Sequence, residues 1–210
     1  MAGPPPTPDF SSVALDITTI AVGRTFGRIH RRAYPEPLGH GKNSSRFSDP
    51  RRRMPENRFG VLYLGATLKV CFVETLVRDQ RDGLVGALDM PETDLDDRLY
   101  SEIRVKQQLR LIDLQGDGPV RMGVPTDVVR GRTQTRARQW SLAIHEHPAS
   151  VDGILYPSRL NNEVNLAVYD RALLKLEAVH SVDLKHAAGL GAILTTYKVG
   201  FTDALGRPVS

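Results

Sequence analysis

The sequence predicts an α+β fold in which a mostly antiparallel β-sheet is flanked by helices. In parallel α/β proteins, strands and helices alternate along the chain. The predicted strands and helices of this chain do not alternate strictly. The chain has 210 residues, which is enough for one domain with a sizeable core. We therefore expect a flexible, proline-rich N-terminal tail over residues 1–15 and a single domain over residues 16–210.

The first part of the domain is predicted to place two basic side chains on one strand. The stretch TFGRIHR, around residues 24–31, alternates as a strand does, and a period of two puts Arg28 and His30 on one face. Residues 34–58 are rich in Pro, Gly, Ser, Asn and Arg and show no regular pattern. An irregular segment of that length is typical of a lid or a binding loop. A short strand is predicted next, over Phe59–Gly65.

The following segment is a predicted helix that carries a carboxylate among apolar residues. Thr67 is the predicted cap, and the helix is predicted over Leu68–Arg78. Apolar side chains cover nearly every direction of this helix, which predicts that it is buried. Glu74 then has two interpretations: an ordinary surface pair with Arg78, or a desolvated carboxylate that lines a pocket. Cys71, the single cysteine of the chain, is predicted to be a packed thiol.

The second half of the domain is predicted to consist mainly of strands. The strand over Val151–Ser158 places Ile154, Tyr156 and Ser158 on one face. Pro157 indicates that this strand ends there or lies at an edge of the sheet. The other predicted elements are strands at about 99–105, 109–114, Val164–Asp170 and 174–184, and helices at about 133–147 and 186–196.

The charge of the chain indicates an acidic ligand. The net charge is +4, and arginine supplies 22 of the 28 basic residues. Because the planar fork of arginine binds phosphate and carboxylate bidentately, such a surface suits a nucleotide, a nucleic acid or an acidic protein. The densest run, Arg51–Arg53, is either a solvated loop or a contact surface.

The sequence predicts neither secretion nor a membrane contact. The N-terminus lacks the pattern of a secretory leader, and no apolar run is long enough for a membrane helix. We therefore expect a cytoplasmic protein.

Several familiar catalytic motifs are absent from the sequence. It contains no Walker loop, no GxGxxG, no GxSxG and no HExxH. ATPase, Rossmann dehydrogenase, α/β-hydrolase and zincin interpretations therefore lose their usual support. The remaining candidate residues are spread along the chain: Arg28, His30, Arg46, Tyr63, Glu74, Tyr156, Ser158 and Arg159.

Taken together, five segments resemble the RES domain, a family named for its Arg, Glu and Ser. They match in order and spacing as well as in residue type, and they cover about residues 24–175. The segments are RIH (28–30), RF (46–47), GVLYLGATLKVCFVETLVRD (60–79), WSLAIH (140–145) and DGILYPSR (152–159).

The resemblance implies a fold and a reaction. RES proteins are typically toxins of bacterial type II toxin–antitoxin modules. Their fold is similar to that of ADP-ribosyltransferases, with a split, mostly antiparallel sheet and a cleft that binds NAD⁺. The implied reaction is cleavage of the nicotinamide–ribose bond of NAD⁺, and no metal is implied. The acceptor stays open: it is phosphate or water, which depletes NAD⁺, or a protein that receives ADP-ribose. A cognate antitoxin of the DNA-binding Xre type is an implied partner.

Carried over residue by residue, the resemblance implies catalytic roles for Arg28, Glu74 and Ser158. Arg28 and Ser158 would also contact NAD⁺, together with Arg46 and Tyr63. These assignments rest on the positions that match the family's pattern.

Elementary chemistry agrees with these roles. Breaking the N-glycosidic bond passes through a ribosyl cation, which a carboxylate at Glu74 would stabilise. Arg28 and Arg46 offer forks for the pyrophosphate, and the ring of Tyr63 offers a surface on which nicotinamide can stack. His30 would contact the ribose or support the residues that do.

A different class of function also fits the composition. A basic nucleic-acid-binding module without catalytic activity would use Arg51–Arg53 and neighbouring arginines, and its binding would depend steeply on salt. The aromatic residues do not cluster with the arginines, and direct contact with nucleic acid is therefore not expected. A purely structural partner protein is the third reading, and it leaves Glu74 unexplained.

Overall fold

Strands dominate the structure, and the helices are short. The computed structural model describes residues 3–51, 54–78, 80, 83, 85–203 and 207 of the chain. The strands are β1 (Ile17–Ile20), β2 (Thr25–Arg31), β3 (Val61–Gly65), β4 (Leu88–Pro91), β5 (Arg98–Val105), β6 (Leu109–Asp113), β7 (Gly153–Pro157), β8 (Val164–Tyr169), β9 (Leu176–Asp183) and β10 (Val199–Thr202). The α-helices are α1 (Leu68–Phe72), α2 (Thr93–Asp96), α3 (Gly118–Arg121), α4 (Asp127–Arg130), α5 (Thr135–His145) and α6 (Leu190–Thr196). Tighter 3₁₀ turns cover Pro8–Ser12, Pro55–Asn57, Asp170–Lys175 and Leu184–His186.

An eight-stranded sheet forms the centre of the fold. Its strand order is β1-β6-β7-β8-β3-β2-β5-β9, and neighbouring strands pair antiparallel except β6 and β7, which are parallel. A small parallel ribbon of β4 and β10 lies beside it. The predicted α+β fold with a mostly antiparallel sheet is confirmed.

The sheet is nearly split between β2 and β3. These strands share one residue pair, Gly27 opposite Gly65. A Cβ atom on Gly27 would lie 2.7 Å from the ring of Tyr100, and one on Gly65 would lie 2.6 Å from Val70 and 2.7 Å from the sulfur of Cys71. Any side chain here would force these neighbours apart, so glycine is required for the two halves of the sheet to meet.

The helix that carries Glu74 differs from the prediction. Thr67 caps it as predicted, and its hydroxyl accepts a hydrogen bond of 3.1 Å from the backbone N–H of Val70. The α-helix ends at Phe72, however, and Val73–Val77 form a π-helical turn closed by a bond of 2.8 Å from the N–H of Arg78 to the carbonyl of Val73. A π-helical turn holds an extra residue, and the side chains that follow Phe72 therefore point in directions that an α-helical wheel does not predict.

The N-terminal segment also differs from the loose tail predicted over residues 1–15. Phe10 is buried and packs edge-on against Trp140, with ring centroids 5.0 Å apart. The indole N–H of Trp140 donates to the carbonyl of Pro4 at 3.1 Å, and the backbone N–H of Gly3 donates to Asp127 at 2.7 Å. An aromatic anchor and two long-range bonds attach this segment to the domain, although its composition favours disorder.

Most other predicted elements are found, with ends shifted by a few residues. All five residues of β7 are buried, and Pro157 is its last residue in the middle of the sheet, so Pro157 marks the end of the strand and not an edge. The sequence prediction omitted β1, β4 and β10, which are only four residues long. Within the described residues, no helix is both long and apolar enough to cross a membrane.

Candidate active site

A cavity of about 540 Å³ lies where β2 and β3 separate. Its volume falls within the range of small-molecule binding sites. Strands β2, β3, β7 and β8, the π-helical turn and the loop before β3 all contribute to its wall. The charged and aromatic residues of the wall are Arg28, Arg46, Tyr63, Glu74, Arg78, Tyr156 and Arg159.

Glu74 faces this cavity from the π-helical turn, and its side chain is 21% exposed. One carboxylate oxygen accepts a hydrogen bond of 3.3 Å from the side-chain amide of Asn165, and the other lies 3.5 Å from a guanidinium nitrogen of Arg78. The two interpretations of Glu74 are therefore both partly right. The Glu74–Arg78 pair exists, and it forms part of the cavity wall.

Asn165 is a residue that the sequence reasoning missed. It is only 4% exposed on β8 and lies in the cavity wall. A polar residue inside the otherwise apolar stretch VNLAVY was the available signal, because buried polar groups need partners. Its amide holds Glu74 from the strand opposite the helix.

Arg46 reaches the cavity from the long irregular loop. The residue is 6% exposed, and its guanidinium donates to the carbonyl of Val128 at 3.3 Å. Burial lowers the pKa of Arg46, and the nearby Arg78 lowers this pKa further. The cavity thus holds two arginine side chains close together, which favours an anionic ligand between them.

Tyr63 anchors the loop that carries Arg46. Its hydroxyl accepts a hydrogen bond from the backbone N–H of Phe47 at 2.9 Å and shares another of 2.9 Å with the hydroxyl of Ser45. Burial raises the pKa of Tyr63. Its ring lies in the cavity wall, and the stacking of nicotinamide on this ring stays a prediction.

A buried carboxylate secures the other end of the same loop. The side chain of Asp49 is completely buried; it accepts hydrogen bonds from Arg51 at 2.6–3.0 Å and from the backbone N–H of Phe59 at 3.3 Å. Burial disfavours the charged carboxylate, but these hydrogen bonds outweigh burial and lower the pKa of Asp49. Arg51 also pairs with Glu146 at 2.8 Å, which ties the loop to the end of α5.

We expect the substitution Asp49→Asn to lower the free energy of unfolding by about 2 kcal/mol at neutral pH, because charge-assisted hydrogen bonds are lost in the interior. A carboxylate whose pKa is lowered by folding contributes stability above its unfolded pKa of 3.8 and loses it as the pH falls through the folded value. The wild type and the variant should therefore converge in acid. Urea unfolding at neutral and acidic pH measures both effects.

The control is Asp96→Asn, which removes a solvent-exposed partner of Lys185 and should change stability by less than about 1 kcal/mol. Equal urea midpoints for the two variants at neutral pH would show that Asp49 does not anchor the loop.

Arg28 lies in the cavity wall on β2. Its guanidinium donates to the carbonyl of Pro37 at 2.6 Å. Burial lowers the pKa of Arg28 to about 10, so that this side chain is still cationic at neutral pH. Among the residues that the structure describes, the contact with Pro37 leaves other N–H groups of the fork available to a ligand.

His30 shares its strand with Arg28 but is not part of the cavity wall. Its ring nitrogens bond the carbonyl of Tyr34 at 2.9 Å and the hydroxyl of Ser101 at 2.8 Å. Burial lowers the pKa of His30, which favours the neutral ring. This histidine supports the turn that leads to Pro37, and its predicted contact with NAD⁺ stays a prediction.

Ser158 is likewise buried behind the cavity wall. Its hydroxyl accepts a hydrogen bond of 3.1 Å from the backbone N–H of Leu160, and its backbone N–H donates to the carbonyl of Glu163 at 2.7 Å. These bonds form the turn that contains Arg159. The catalytic and binding roles predicted for Ser158 stay predictions.

Cys71 lies in the cavity wall, and its thiol is largely buried. The residue is buried, and burial raises the pKa of the thiol to about 12. A thiol rather than a thiolate is present at neutral pH. The predicted packed thiol is confirmed.

The arginine run proposed as a nucleic-acid surface is only partly described. Arg52 and Arg53 lie outside the described residues. Arg51 has a side chain 23% exposed and is engaged with Asp49 and Glu146. The part of the run that is described therefore serves to hold a loop.

Fold and cavity together define an α+β protein with a partly open cleft lined by arginines and a carboxylate. The family model of the RES domain matches residues 25–186. Because this match spans most of the chain, the protein belongs to the RES-domain family.

Two known proteins are similar to this chain, one in sequence and one in fold. The chain is 38% identical over 105 residues to the probable toxin y4kH of Sinorhizobium fredii (strain NBRC 101917 / NGR234), a stretch that covers 50% of this chain and 83% of that protein. The fold of the present chain is similar to that of a chain in the crystal structure of the M. tuberculosis MbcT–MbcA toxin–antitoxin complex. The TM-score is 0.58, and the identity is 20% over 86% of this chain and 91% of that chain. At that identity, the second likeness shows the fold alone.

Proposed function

We propose that this protein is a toxin-type enzyme that cleaves the nicotinamide–ribose bond of NAD⁺. The observation that carries the proposal is the meeting of one carboxylate, Glu74, with the arginines Arg28 and Arg46 in a single cavity of a RES-family chain. A carboxylate and several guanidinium groups are what a positively charged ribosyl centre and an anionic pyrophosphate require.

The proposed chemistry begins with departure of nicotinamide. The bond between the nicotinamide nitrogen and the ribose carbon breaks, the electron pair leaves with the now neutral nicotinamide, and positive charge develops on the ribose. Glu74 stabilises this charge, as carboxylates do in glycosidases. Asn165 and Arg78 hold the carboxylate from either side, so little reorganisation is needed during the reaction.

The arginines and the tyrosine ring are proposed to bind the two ends of the substrate. Arg28 and Arg46 bind the pyrophosphate, and the ring of Tyr63 stacks on nicotinamide. Ser158 and His30 are proposed to contribute contacts to ribose or nicotinamide. Their hydroxyl and ring nitrogens already bond protein groups, so these contacts require a rearrangement when the substrate binds.

We expect the purified protein to release nicotinamide from NAD⁺, because each proposed route begins with the same bond cleavage. Chromatography of NAD⁺ incubated with the protein measures this release. Boiled protein is the control. Failure to release nicotinamide in buffer, in phosphate and in a cell lysate would exclude the proposed function.

The same experiment separates the three acceptors. Water yields ADP-ribose and a proton, phosphate yields ADP-ribose 1″-phosphate, and a protein acceptor yields a band labelled by radioactive NAD⁺. Comparing buffer, phosphate and lysate therefore identifies the acceptor, whichever route is correct.

We also propose that the protein is silenced by a cognate antitoxin. The support is the name of the relative from Sinorhizobium fredii, a probable toxin, and the toxin–antitoxin complex that contains the structural neighbour. We propose an antitoxin of the DNA-binding Xre type. Co-expression of the neighbouring gene, followed by co-purification and a growth assay, tests this partner.

A further inference from the structure

Tyr156 lines the cavity, and its hydroxyl is a candidate ligand contact. The residue is 7% exposed, and its ring packs edge-on against Phe47, with centroids 4.9 Å apart. Among the described residues, no side chain or backbone group makes a hydrogen bond to its hydroxyl. By contrast, the hydroxyl of Tyr63 accepts a bond from a loop, and that of Tyr169 donates to the carbonyl of Ser141 at 3.0 Å. The hydroxyl of Tyr156 is therefore open to the cavity and available to a ligand that binds there.

The surroundings of this hydroxyl include arginine side chains as well as the carboxylate of Glu74. Arg46, Arg78 and Arg159, which we call the cationic corner, all lie in the cavity wall. Burial is the main reason why the pKa of Arg46 is lowered, and Arg78 and Arg159 lower it further. The influence of Tyr156 on the same pKa shows that it lies beside this corner. The corner would therefore hold an anionic part of a ligand.

The strand register places Tyr156 next to the carboxylate as well. Tyr156 on β7 is directly opposite Asn165 on β8, and side chains at opposite positions of an antiparallel pair lie on the same face. The amide of Asn165 in turn bonds Glu74. A ligand that reaches both Glu74 and the cationic corner therefore lies within reach of the phenol.

The phenol is suited to donate a hydrogen bond. Burial raises the pKa of Tyr156 well above 10, so its hydroxyl is protonated at neutral pH. A neutral hydroxyl donates to a phosphate oxygen without adding charge to the site.

We propose that the hydroxyl of Tyr156 donates a hydrogen bond to a phosphate oxygen of the ligand bound in the cationic corner. This deepens the proposed function, on which the identity of the ligand rests, by assigning Tyr156 to recognition of the NAD⁺ pyrophosphate. The anion site itself follows from the side chains of the cavity and can be tested without catalysis.

The test is the substitution Tyr156→Phe, which removes the hydroxyl and keeps the ring. Calorimetry with ADP-ribose and, separately, with inorganic pyrophosphate measures binding; a nicotinamide-release assay measures KM and kcat. We expect Kd for both probes and KM for NAD⁺ to rise about tenfold or more, because a hydrogen bond to a charged group is lost. We expect Tm to be unchanged, because no bond within the described residues is broken.

Two further variants separate a ligand contact from a structural role. Tyr169→Phe loses a buried internal hydrogen bond and should lower Tm. Tyr100→Phe removes a hydroxyl that lies outside the cavity against Gly27 and should leave binding and KM unchanged. A fall in Tm of Tyr156→Phe as large as that of Tyr169→Phe, or a Kd within twofold of wild type, would overturn the proposal.

Failure of the proposed enzymatic function can be distinguished from failure of the proposed Tyr156 contact. If the wild type binds both probes but releases no nicotinamide, the enzymatic proposal fails and the effect of Tyr156→Phe on Kd still decides the role of the phenol. If the wild type binds neither ADP-ribose nor pyrophosphate, the phosphate contact is excluded.

Discussion

Replacing Glu74 with glutamine should reduce kcat for nicotinamide release by about a hundredfold to a thousandfold, the usual effect of removing one group that stabilises charge in a transition state. Glutamine has nearly the same shape and keeps an oxygen for the amide of Asn165, so the wall of the cavity should persist. KM should change little or fall, because the arginines lose an anionic neighbour and bind the pyrophosphate at least as well. Steady-state kinetics and a thermal unfolding curve measure these effects together.

The matched control for this experiment is Glu177→Gln. Glu177 lies on β9 and pairs with Arg104 at 3.3 Å, with both side chains more than 40% exposed. Its loss should leave kcat and KM at wild-type values. The role assigned to Glu74 would be refuted by a Glu74→Gln protein that is folded and retains more than a tenth of wild-type kcat.

Replacing Arg28 with alanine should reduce kcat/KM about a hundredfold, which is about 3 kcal/mol. Most of this should appear in KM, because a contact to the pyrophosphate is made both in the ground state and in the transition state. Arg28→Lys keeps the charge but loses the planar fork, so its kcat/KM should lie between those of Arg28→Ala and the wild type. The measurement is again nicotinamide release as a function of NAD⁺ concentration.

Arg104→Ala is the control, since Arg104 is a 45%-exposed arginine on the neighbouring strand β5. Its kcat/KM for nicotinamide release should equal that of the wild type. Arg28 also holds the carbonyl of Pro37, so a structural effect has to be separated from a binding effect. If Arg28→Ala lowers Tm strongly and leaves KM unchanged, then Arg28 supports the loop and does not bind substrate.

The pattern of the strands could be predicted because it depends on local alternation. The stretch TFGRIHR forms β2, and the predicted strand over Val151–Ser158 contains β7. Four of the six predicted site residues, Arg28, Arg46, Tyr63 and Glu74, line one cavity. These four residues were assigned to one site from the family resemblance, and their catalytic and binding roles stay predictions.

The prediction failed at two places, for two different reasons. An α-helical wheel assumes a regular period, but a bond from Arg78 to Val73 closes a π-helical turn around Glu74. Phe10 fills a space against Trp140, so a segment with the composition of a tail packs onto the domain. The π-helical turn is a local change of helical period that the apolar pattern does not show, whereas the partner of Phe10 lies far away in the sequence.

The sequence by itself determined the α+β class, most of the strands, the membership in the RES family and the residue types that an NAD⁺-cleaving site would need. Only the tertiary structure decided which side chains face the cavity. His30 and Ser158 match the family pattern, yet their polar atoms bond backbone and neighbouring side chains. Tyr156 and Asn165 instead line the cavity. The reason is physical: alternation along a strand sets which face a residue occupies, whereas the register between strands far apart in sequence, such as β7 with β8 and β2 with β3, sets which faces enclose the same space.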